Sequence, residues 1–280
     1  MNLVDVIIPT FNRAYILKRA IESVLNQTYK NFLLHIVDDG STDETSSLLE
    51  LYKNHPQIKL YYQGNEGVSS ARNLAALNSQ GEWLSFLDSD DEWMPEKLTT
   101  QMKYLKENSN CTFLHSEELW IRNGVRVNPK QKHQKNNDLI FERSLEFCII
   151  SPSTVIMKRE LFLKHNGFDK NFTVCEDYDL WLKILATDEI GFIATPLTSK
   201  HGGHVDQLST KFVAMDYWRI KSLVNLFKSE DVTIDQKELI KNVLLRKSEI
   251  LLRSYIKYQN QKHFDEITNE LSSIMLSVKI

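Results

Sequence analysis

Hydrophobic and polar positions in the first part of the chain follow two patterns that alternate. Short runs rich in β-branched, leucine and aromatic residues are typical of buried strands. They read LVDVIIP (3–9), FLLHIVD (32–38), IKLYY (58–62) and EWLSFLD (82–88). Between them, apolar residues recur at the three- and four-residue spacing of a helix face, first from Ala14 onward. The pattern predicts an α/β fold.

Several helix starts carry their own signals. Ser41 and Glu44 have the spacing of a capping box, in which a hydroxyl and a carboxylate each bind a free backbone N–H. VSSARNLAALN (68–78) predicts a helix between the third and fourth strands. Pro95 suits the first turn of a further helix that runs through Leu105.

Strands joined by helical crossovers run parallel, so their carboxyl ends meet along one edge of the sheet. Polar residues collect at these ends: Asn12 and Arg13, Asp38 and Asp39, Gly64 and Asn65, and Asp88 and Asp90. In open α/β sheets this is the edge that binds ligands. For any single cluster, ordinary turn chemistry is the alternative, because Asp, Asn and Gly are turn residues.

Composition narrows the classes of function. The chain has 280 residues, of which 42% are hydrophobic, enough for a sizeable core. Its 34 basic and 37 acidic residues give a formal net charge of -3, so there is no overall electrostatic case for a nucleic-acid partner. Cys111, Cys148 and Cys175 form no CxxC pair, and we interpret them as reduced thiols used as small core residues.

The N-terminal segment predicts a cytoplasmic protein. Asp5 interrupts its apolar stretch, and it lacks a basic leader and a small-residue cleavage site. No run approaches the roughly 18 uninterrupted apolar residues of a membrane-spanning helix. A position at the inner face of the membrane stays open.

Three aspartates, Asp88, Asp90 and Asp91, lie within four positions after the fourth strand. Their charges repel one another, and a bound cation relieves that repulsion. An all-oxygen site favours Mg²⁺ or Mn²⁺, with positions left open for water or for the phosphate oxygens of a nucleotide. The alternative is a solvated turn with a helix cap before EWMPEKL (92–98), because an isolated DxD pattern is weak.

Four segments resemble, in order and spacing, the nucleotide-binding half of the family 2 inverting glycosyltransferases. They are VIIPTFNR (6–13), VDDGSTDET (37–45), GNEGVSSARN (64–73) and FLDSDDEW (86–93). A fifth segment, GFDKNFTVCEDYDLWLKI (167–184), resembles the acceptor-side motif of that family, with Glu176 and Asp177 as its Glu-Asp pair. The resemblance implies a GT-A fold, with a mainly parallel nucleotide-binding sheet flanked by helices and a C-terminal helical extension.

The resemblance also implies roles for individual residues. The nucleotide-sugar-binding set is Pro9, Thr10, Asn12, Arg13, Asp39, Asn65, Arg72, Asp88 and Ser89. Asp39 would accept a hydrogen bond from uracil, Asp90 would bind the metal directly with Asp88 beside it, and Asp177 would be the catalytic base. Plainer interpretations stay open: Asp39 as a turn residue, Arg72 in a helix-surface ion pair, and Asp177 at a helix N-terminus favoured by the dipole.

Two histidines in TSKHGGHVDQLS (198–209) are candidates for a further metal ligand. Glycines let such a segment approach a ligand or move as a lid, and an imidazole can complete a magnesium or manganese site. Many GT-A enzymes add a histidine metal ligand from a loop late in the chain. The resemblance implies that His201 or His204 has this role here, and His204 is preferred. A structural or exposed histidine is the alternative.

The implied reaction is a single displacement that inverts the anomeric carbon. Charge develops on the leaving diphosphate, where the metal at Asp90 stabilises it, while Asp177 takes the proton of the acceptor hydroxyl. Neighbouring carboxylates in EDYD (176–179) would raise the proton affinity of that base. The expected donor is a UDP-sugar and the acceptor a glycan or lipid-linked sugar of a cell-envelope polysaccharide.

Other classes fit the motifs less well. A sugar nucleotidyltransferase would open with a glycine-rich loop and a basic residue, which IPTFNR (8–13) does not provide. A dinucleotide-dependent dehydrogenase would carry GxGxxG after the first strand. A non-catalytic sugar-nucleotide-binding protein stays open as the alternative.

The rest of the chain is predicted to support this site. We expect a catalytic domain over 1–207, with a nucleotide-sugar-binding half (1–110) and an acceptor-side half (111–207), followed by a helical region (208–280). The basic segment 122–138 is interpreted as a hairpin or mobile loop. Trp181 is expected in the core, with stacking on a sugar as the alternative. The C-terminal helices would pack on the catalytic domain, form a homodimer or touch the membrane surface.

Overall fold

The computed structural model describes residues 2–128, 130, 133–135, 138–203, 215–259 and 263–277. Their strands are β1 (Val4–Thr10), β2 (Phe32–Asp38), β3 (Ile58–Tyr62), β4 (Trp83–Phe86), β5 (Glu92–Trp93), β6 (Phe113–Arg122), β7 (Val125–Val127), β8 (Ile156–Lys158) and β9 (Gly191–Gly202). Their helices are α1 (Ala14–Leu25), α2 (Thr45–Glu50), α3 (Val68–Leu77), α4 (Lys97–Glu107), α5 (Ile140–Glu146), α6 (Arg159–Lys164), α7 (Glu176–Thr187), α8 (Met215–Lys228), α9 (Ile234–Lys257) and α10 (Phe264–Ser277).

The first four strands form the parallel part of the sheet, in the order β3-β2-β1-β4. All seven residues of β1 are buried, as the apolar run predicts for a central strand. Ile7 lies in the hydrophobic cluster that contains α3, whereas Val6 and Ile8 lie in the cluster that contains α1. The sheet is therefore covered by helices on both faces, and the predicted fold class is confirmed.

Beyond β4 the sheet becomes mixed. Strand β8 pairs antiparallel with β4 and with β6, β9 runs parallel to β6, and β5 pairs antiparallel with β9. Strand β7 pairs with β6 through a turn at Asn123 and Gly124, both with positive φ. Of the alternatives given for the basic segment 122–138, a hairpin forms at its start, where the strand residues up to Val127 pair with β6.

The C-terminal helices complete the hydrophobic core on one face of the sheet. One continuous hydrophobic cluster includes Phe86 of β4 and Trp181 of α7, and it reaches Ile220 of α8, Leu244 of α9 and Ile274 of α10. Trp181 is 2% exposed, which confirms its interpretation as a core residue. The division of the chain at residue 207 stays a prediction. Among the described helices, none combines the length and apolar character needed to cross a membrane.

Three local predictions are wrong. The capping box at Ser41 and Glu44 does not form, because α2 begins at Thr45 and the Ser41 hydroxyl instead accepts a hydrogen bond from the backbone N–H of Asn12 at 2.8 Å. Helix α4 begins at Lys97, so Pro95 lies before its first turn. His201 lies in β9 and not in a loop, because 198–202 pairs with β6.

Candidate active site

The loops that follow β1 and β2 are joined by Asn12. Its backbone N–H donates to Ser41 Oγ at 2.8 Å, and its side-chain Oδ1 accepts from the N–H of Thr42 at 2.7 Å. Asn12 has a φ of 53°, a conformation that asparagine tolerates better than most residues. The predicted nucleotide-binding loop is thus held in place by the loop beside it.

Asp39 fixes the loop between β3 and α3. Its Oδ1 accepts hydrogen bonds from Gln63 Nε2 at 2.6 Å and from the N–H of Glu66 at 2.8 Å. Its Oδ2 accepts from the N–H of Gly67 at 2.9 Å. This is the turn role given above as the plainer interpretation. A carboxylate offers about four lone-pair sites, so a further donor such as a uracil N–H can still bind.

A buried hydroxyl group lies beside Asp39 at the end of β1. The carbonyl of Thr10 accepts from the N–H of Asp39 at 2.9 Å, whereas Thr10 Oγ1 is buried and finds no hydrogen-bond partner within the described ranges. Such a group costs free energy unless a ligand or water satisfies it. The neighbouring Pro9 is buried. Asn65 is exposed at the same edge.

Asp88, Asp90 and Asp91 present carboxylate oxygens that lie within 4.8 Å of one another. Asp91 is buried, and it accepts hydrogen bonds from Ser153 Oγ at 2.6 Å and from the N–H of His201 at 3.0 Å. Burial and the charges of Asp90 and Asp88 raise the pKa of Asp91 well above its ordinary value. The fold therefore places a buried carboxyl group, whose charged form is disfavoured, beside two half-buried carboxylates.

The residues around this cluster fit a hard divalent cation. Asp88 and Asp90 are half-buried and offer oxygen ligands. Asp91 is fixed by its hydrogen bonds to Ser153 and His201. Ser89, between the first two aspartates, is buried. Arg13 Nη1 lies 3.9 Å from Asp90 Oδ2. The predicted ligands Asp88 and Asp90 thus lie together.

Of the two histidines predicted as metal ligands, the described residues include only His201. His201 binds Asp91 through its backbone, and its Nε2 lies 3.5 Å from Glu92 Oε2. It is at the same sheet edge, with its imidazole beside a carboxylate outside the cluster. His204 lies outside the described residues, so the preferred assignment stays a prediction.

Arg72 connects the aspartate cluster to the acceptor-side motif. Its Nη2 donates to Asp88 Oδ1 at 2.7 Å, and its Nη1 donates to Glu176 Oε1 at 2.6 Å. The guanidinium also lies 5.0 Å from the ring centroid of Phe168. Arg72 is 3% exposed, so its interpretation as a helix-surface residue is wrong. The ion pairs hold two motifs that are far apart in the sequence next to each other.

Glu176 and Asp177 begin α7. Burial and the charge of Asp177 raise the pKa of Glu176 to about 6, although Arg72 opposes this rise. Asp177 is half-buried; its Oδ1 accepts from the N–H of Tyr178 at 2.7 Å and its Oδ2 from the thiol of Cys148 at 3.3 Å. Asp179 instead binds Lys183 at 2.5 Å. Asp177 is thus the least buried carboxylate of this group.

A buried charge network beside the site has no counterpart in the sequence motifs. Ser151 Oγ contacts Glu118 Oε1 at 3.2 Å and Lys200 Nζ at 2.8 Å, and Lys135 Nζ lies 3.0 Å from Glu118 Oε2. Although burial opposes it, Lys135 and Lys200 lower the pKa of Glu118 to about 2. These residues come from separate segments with no common spacing, so no local signal points to them.

Comparison with known proteins identifies one family. The model of "Glycosyl transferase family 2" matches residues 5–165. An uncharacterized glycosyltransferase of Rickettsia felis is 37% identical over 201 residues, which are 70% of this chain but only 32% of that protein. The UDP-Glc:alpha-D-GlcNAc-diphosphoundecaprenol beta-1,3-glucosyltransferase WfgD of Escherichia coli is 34% identical over 192 residues, which are 68% of this chain and 73% of that enzyme.

Solved structures share the fold. TarS 1-349 of S. aureus in complex with UDP-GlcNAc has a TM-score of 0.73 at 20% identity, over 98% of this chain and 80% of that one. The mannosyltransferase PcManGT of Pyrobaculum calidifontis, in complex with GDP-Man and Mn2+, has a TM-score of 0.60 at 18% identity, over 97% of this chain and 84% of that one.

Proposed function

Because the chain belongs to glycosyltransferase family 2 and has the GT-A fold, we propose that it transfers a sugar from UDP to a hydroxyl group with inversion of the anomeric carbon. We propose a glycan or lipid-linked sugar as the acceptor, presented on the cytoplasmic side of the membrane. The names of its relatives support this choice, since WfgD uses UDP-Glc and a diphosphoundecaprenol acceptor and TarS binds UDP-GlcNAc.

The observation that carries the proposal is the double ion pair of Arg72. One guanidinium holds Asp88 of the aspartate cluster and Glu176, the neighbour of Asp177, at 2.7 and 2.6 Å. A group-transfer enzyme needs its donor phosphates and its base within reach of one reacting carbon. The contact supports that arrangement, because it brings the two motifs to one place on the sheet edge.

The donor would lie along the edge formed by the ends of β1, β2 and β4. Asp39 has lone pairs left for the uracil ring, and the buried Thr10 hydroxyl offers a polar contact. Pro9, Asn12 and Asn65 would line this pocket, with Arg13 near the phosphates. In this scheme Arg72 is a structural neighbour of the phosphates and not their ligand, since its Nη1 and Nη2 atoms both bind carboxylates.

Asp90 and Asp88 would hold Mg²⁺ or Mn²⁺, and we propose His204 before His201 as a further ligand. Bound there, the cation would neutralise charge that develops on the leaving diphosphate. Asp91 would keep the loop in place through Ser153 and the backbone of His201.

Asp177 would act as the base. It would take the proton of the acceptor hydroxyl as that oxygen bonds to the anomeric carbon, and UDP would leave with the electron pair of the broken C–O bond. The half-buried position of Asp177 supports this role, because a general base must come within hydrogen-bond reach of the acceptor hydroxyl whose proton it takes. Glu176 is buried against Arg72 and is the less accessible of the two.

The test is a transfer assay with a panel of UDP-sugars, a synthetic GlcNAc-diphosphate with a short alkyl chain, and added Mn²⁺ or EDTA. We expect transfer that EDTA abolishes, and Asp177→Asn should lower turnover about 100-fold or more while UDP affinity stays the same. UDP binding without transfer to any acceptor would instead support a sugar-nucleotide-binding protein. Equal turnover of Asp177→Asn and parent would contradict the base assignment.

A further inference from the structure

The thiol of Cys148 contacts the carboxylate that we propose as the base. Cys148 follows α5, and its Sγ lies 3.3 Å from Asp177 Oδ2 as a hydrogen-bond donor. A second acceptor, the carbonyl of Ile150, is farther from the same sulfur at 3.9 Å. The thiol is thus directed at Asp177, 29 residues away in the sequence.

The two oxygens of Asp177 are held by different donors. Oδ1 accepts from the N–H of Tyr178 at 2.7 Å, which belongs to α7 itself, whereas Oδ2 accepts from Cys148, which belongs to the segment after α5. A carboxylate with one donor on each oxygen has its rotation about the Cβ–Cγ bond restricted. Lone pairs remain on both oxygens for an incoming hydroxyl proton.

The thiol keeps its proton under ordinary conditions. Burial, and after it the negative charge of Asp177, raise the pKa of Cys148 well above that of a free thiol. A protonated thiol is a weak donor, and it adds no charge that would compete with a cation for the carboxylate. Cys148 therefore differs from a lysine or arginine at this place, which would lower the basicity of Asp177 strongly.

We propose that Cys148 is a positioning residue, whose S–H group orients the Asp177 carboxylate toward the acceptor hydroxyl. The inference deepens the proposed function and rests on it, since it gives Cys148 a role through the proposed base. It also assigns a role to a thiol that the sequence alone indicates only as a small core residue.

The kinetic test compares three variants in the assay with the GlcNAc-diphosphate acceptor. Cys148→Ala removes the donor, Cys148→Ser keeps a donor of similar size, and Cys111→Ala removes a thiol whose bond goes to the carbonyl of Phe113 instead. We expect Cys148→Ala to lower kcat about 10-fold with the KM for the donor unchanged, since the contact acts on the base alone. Cys148→Ser should recover most of kcat, and Cys111→Ala should match the parent.

Two kinetic results would overturn the inference. One is equal kcat for Cys148→Ala and parent while Asp177→Asn is inactive, because Asp177 would then act as the base without being oriented by the thiol. The other is an equal loss in Cys148→Ser and Cys148→Ala, because packing and not hydrogen bonding would be the cause. Neither result affects the proposed function.

A second test needs no turnover. Replacing Asp177 by asparagine removes the charge that disfavours the Cys148 thiolate, so iodoacetamide at mildly alkaline pH should alkylate Cys148 about 10-fold faster in Asp177→Asn than in the parent. Peptide mass spectrometry measures this rate, with Cys111 as the internal reference. An unchanged ratio would show that the two side chains are not coupled, and the inference would fall. Faster alkylation together with full activity of Asp177→Asn would remove the base assignment, and the role of Cys148 with it.

Discussion

Arg72 uses both ends of its guanidinium group for carboxylates from distant parts of the sequence. A buried arginine is favourable here because the planar group presents two parallel sets of donors, which a lysine cannot do. If the Arg72 guanidinium is removed by substitution, the Glu176 carboxylate stays buried but loses its ion-pair partner. Asp88 Oδ1 loses its hydrogen-bond donor as well. Removal of one partner of a buried pair is more costly than the net value of the pair.

We therefore expect Arg72→Met to lower the free energy of unfolding by about 3–5 kcal/mol. Denaturant unfolding followed by tryptophan fluorescence measures the change. The double variant Arg72→Met with Glu176→Gln should regain part of the loss, because it removes the stranded charge. Additive losses in the double variant would contradict the coupling. Arg72→Lys is the matched control, because it keeps the positive charge but cannot donate to both carboxylates in the same planar geometry. Its free energy of unfolding should lie between those of the parent and Arg72→Met.

The positions of the candidate residues were more predictable from the sequence than their contacts. The pattern of strand ends predicted that Asp88 and Asp90 lie at one edge of the sheet, and their carboxylate oxygens do lie within 4.8 Å of each other. The inward direction of Arg72 was not predictable, because the helical spacing of α3 leaves its polar residues free to point to either side. The partner of an arginine depends on residues that the fold brings near, here Glu176 at a separation of 104 positions.

At the scale of elements, the loop after β2 passes close to the loop after β3. Gly40 has a φ of 79°, and a Cβ atom there would lie 2.9 Å from the backbone nitrogen of Asn65. Two requirements thus favour glycine at this position, the left-handed backbone and the close approach of another chain segment. Gly124 in the β6–β7 turn has a similar φ of 76° but open space around it.

This pair of glycines allows a matched test. Gly124→Ala should cost about 1 kcal/mol of stability, the strain of the backbone alone. Gly40→Ala should cost more, because the Asn65 backbone must move as well, and it should weaken UDP binding several-fold by displacing the loop. Thermal unfolding and calorimetric titration with UDP measure the two effects. Equal costs for both variants, with UDP affinity unchanged, would show that the close approach is not important.

The network of Glu118, Lys135 and Lys200 joins β6, β9 and the segment before α5. Its pH dependence follows from the lowered pKa of Glu118, about 2 against 4.5 for a free glutamate. The unfolded chain binds a proton between these values and the folded chain does not, so the stabilisation is present above pH 4.5 and is lost as the pH falls toward 2.

The parent should therefore lose its advantage over Glu118→Gln in acid. We expect the difference in their free energies of unfolding to shrink by about 2 kcal/mol between pH 5 and pH 3. Denaturant titrations of both proteins at each pH give this difference, and other acid-sensitive groups cancel in it. A difference that stays constant over this range would contradict the burial of a charged Glu118.

Elements with a strong local pattern were predictable, and those defined by pairing were not. Strands β1 to β4 and helices α8 to α10 follow from runs of apolar residues at fixed spacing. Strand β5 has two residues and β8 has three, too few for a periodic signal, and they exist because β9 and β4 lie beside them. The end of β9 contains glycines and histidines typical of a loop, but its pairing with β6 extends it to Gly202.

At the scale of the whole molecule, the hydrophobic cluster joins the sheet to the C-terminal helices. Leu244 of α9 is fully buried in the same cluster as Phe86 of β4. A shared core makes the unfolding of the two parts cooperative, because neither can open without exposing apolar surface of the other.

We expect Leu244→Ala to lower the free energy of unfolding by about 2–5 kcal/mol, with a single transition. Far-UV circular dichroism and the fluorescence of the tryptophans, which include Trp83 of β4 and Trp181 of α7, should report the same midpoint. Leu239→Ala on the partly exposed side of α9 is the control and should change stability little. Two separate transitions would support the independent helical region predicted after residue 207.

The packing of α8 on α7 also limits where the chains of two related proteins can be joined to make a chimera. A chimera joined after β9 would set α7 of one parent against α8 of another, with mismatched side chains across the interface that contains Tyr217, Ile220 and Leu223. Exchanging loops at the carboxyl edge of the sheet leaves that interface intact. Under the proposed function, engineering of donor or acceptor preference is therefore best done by loop grafts, with the C-terminal helices kept together with their own sheet.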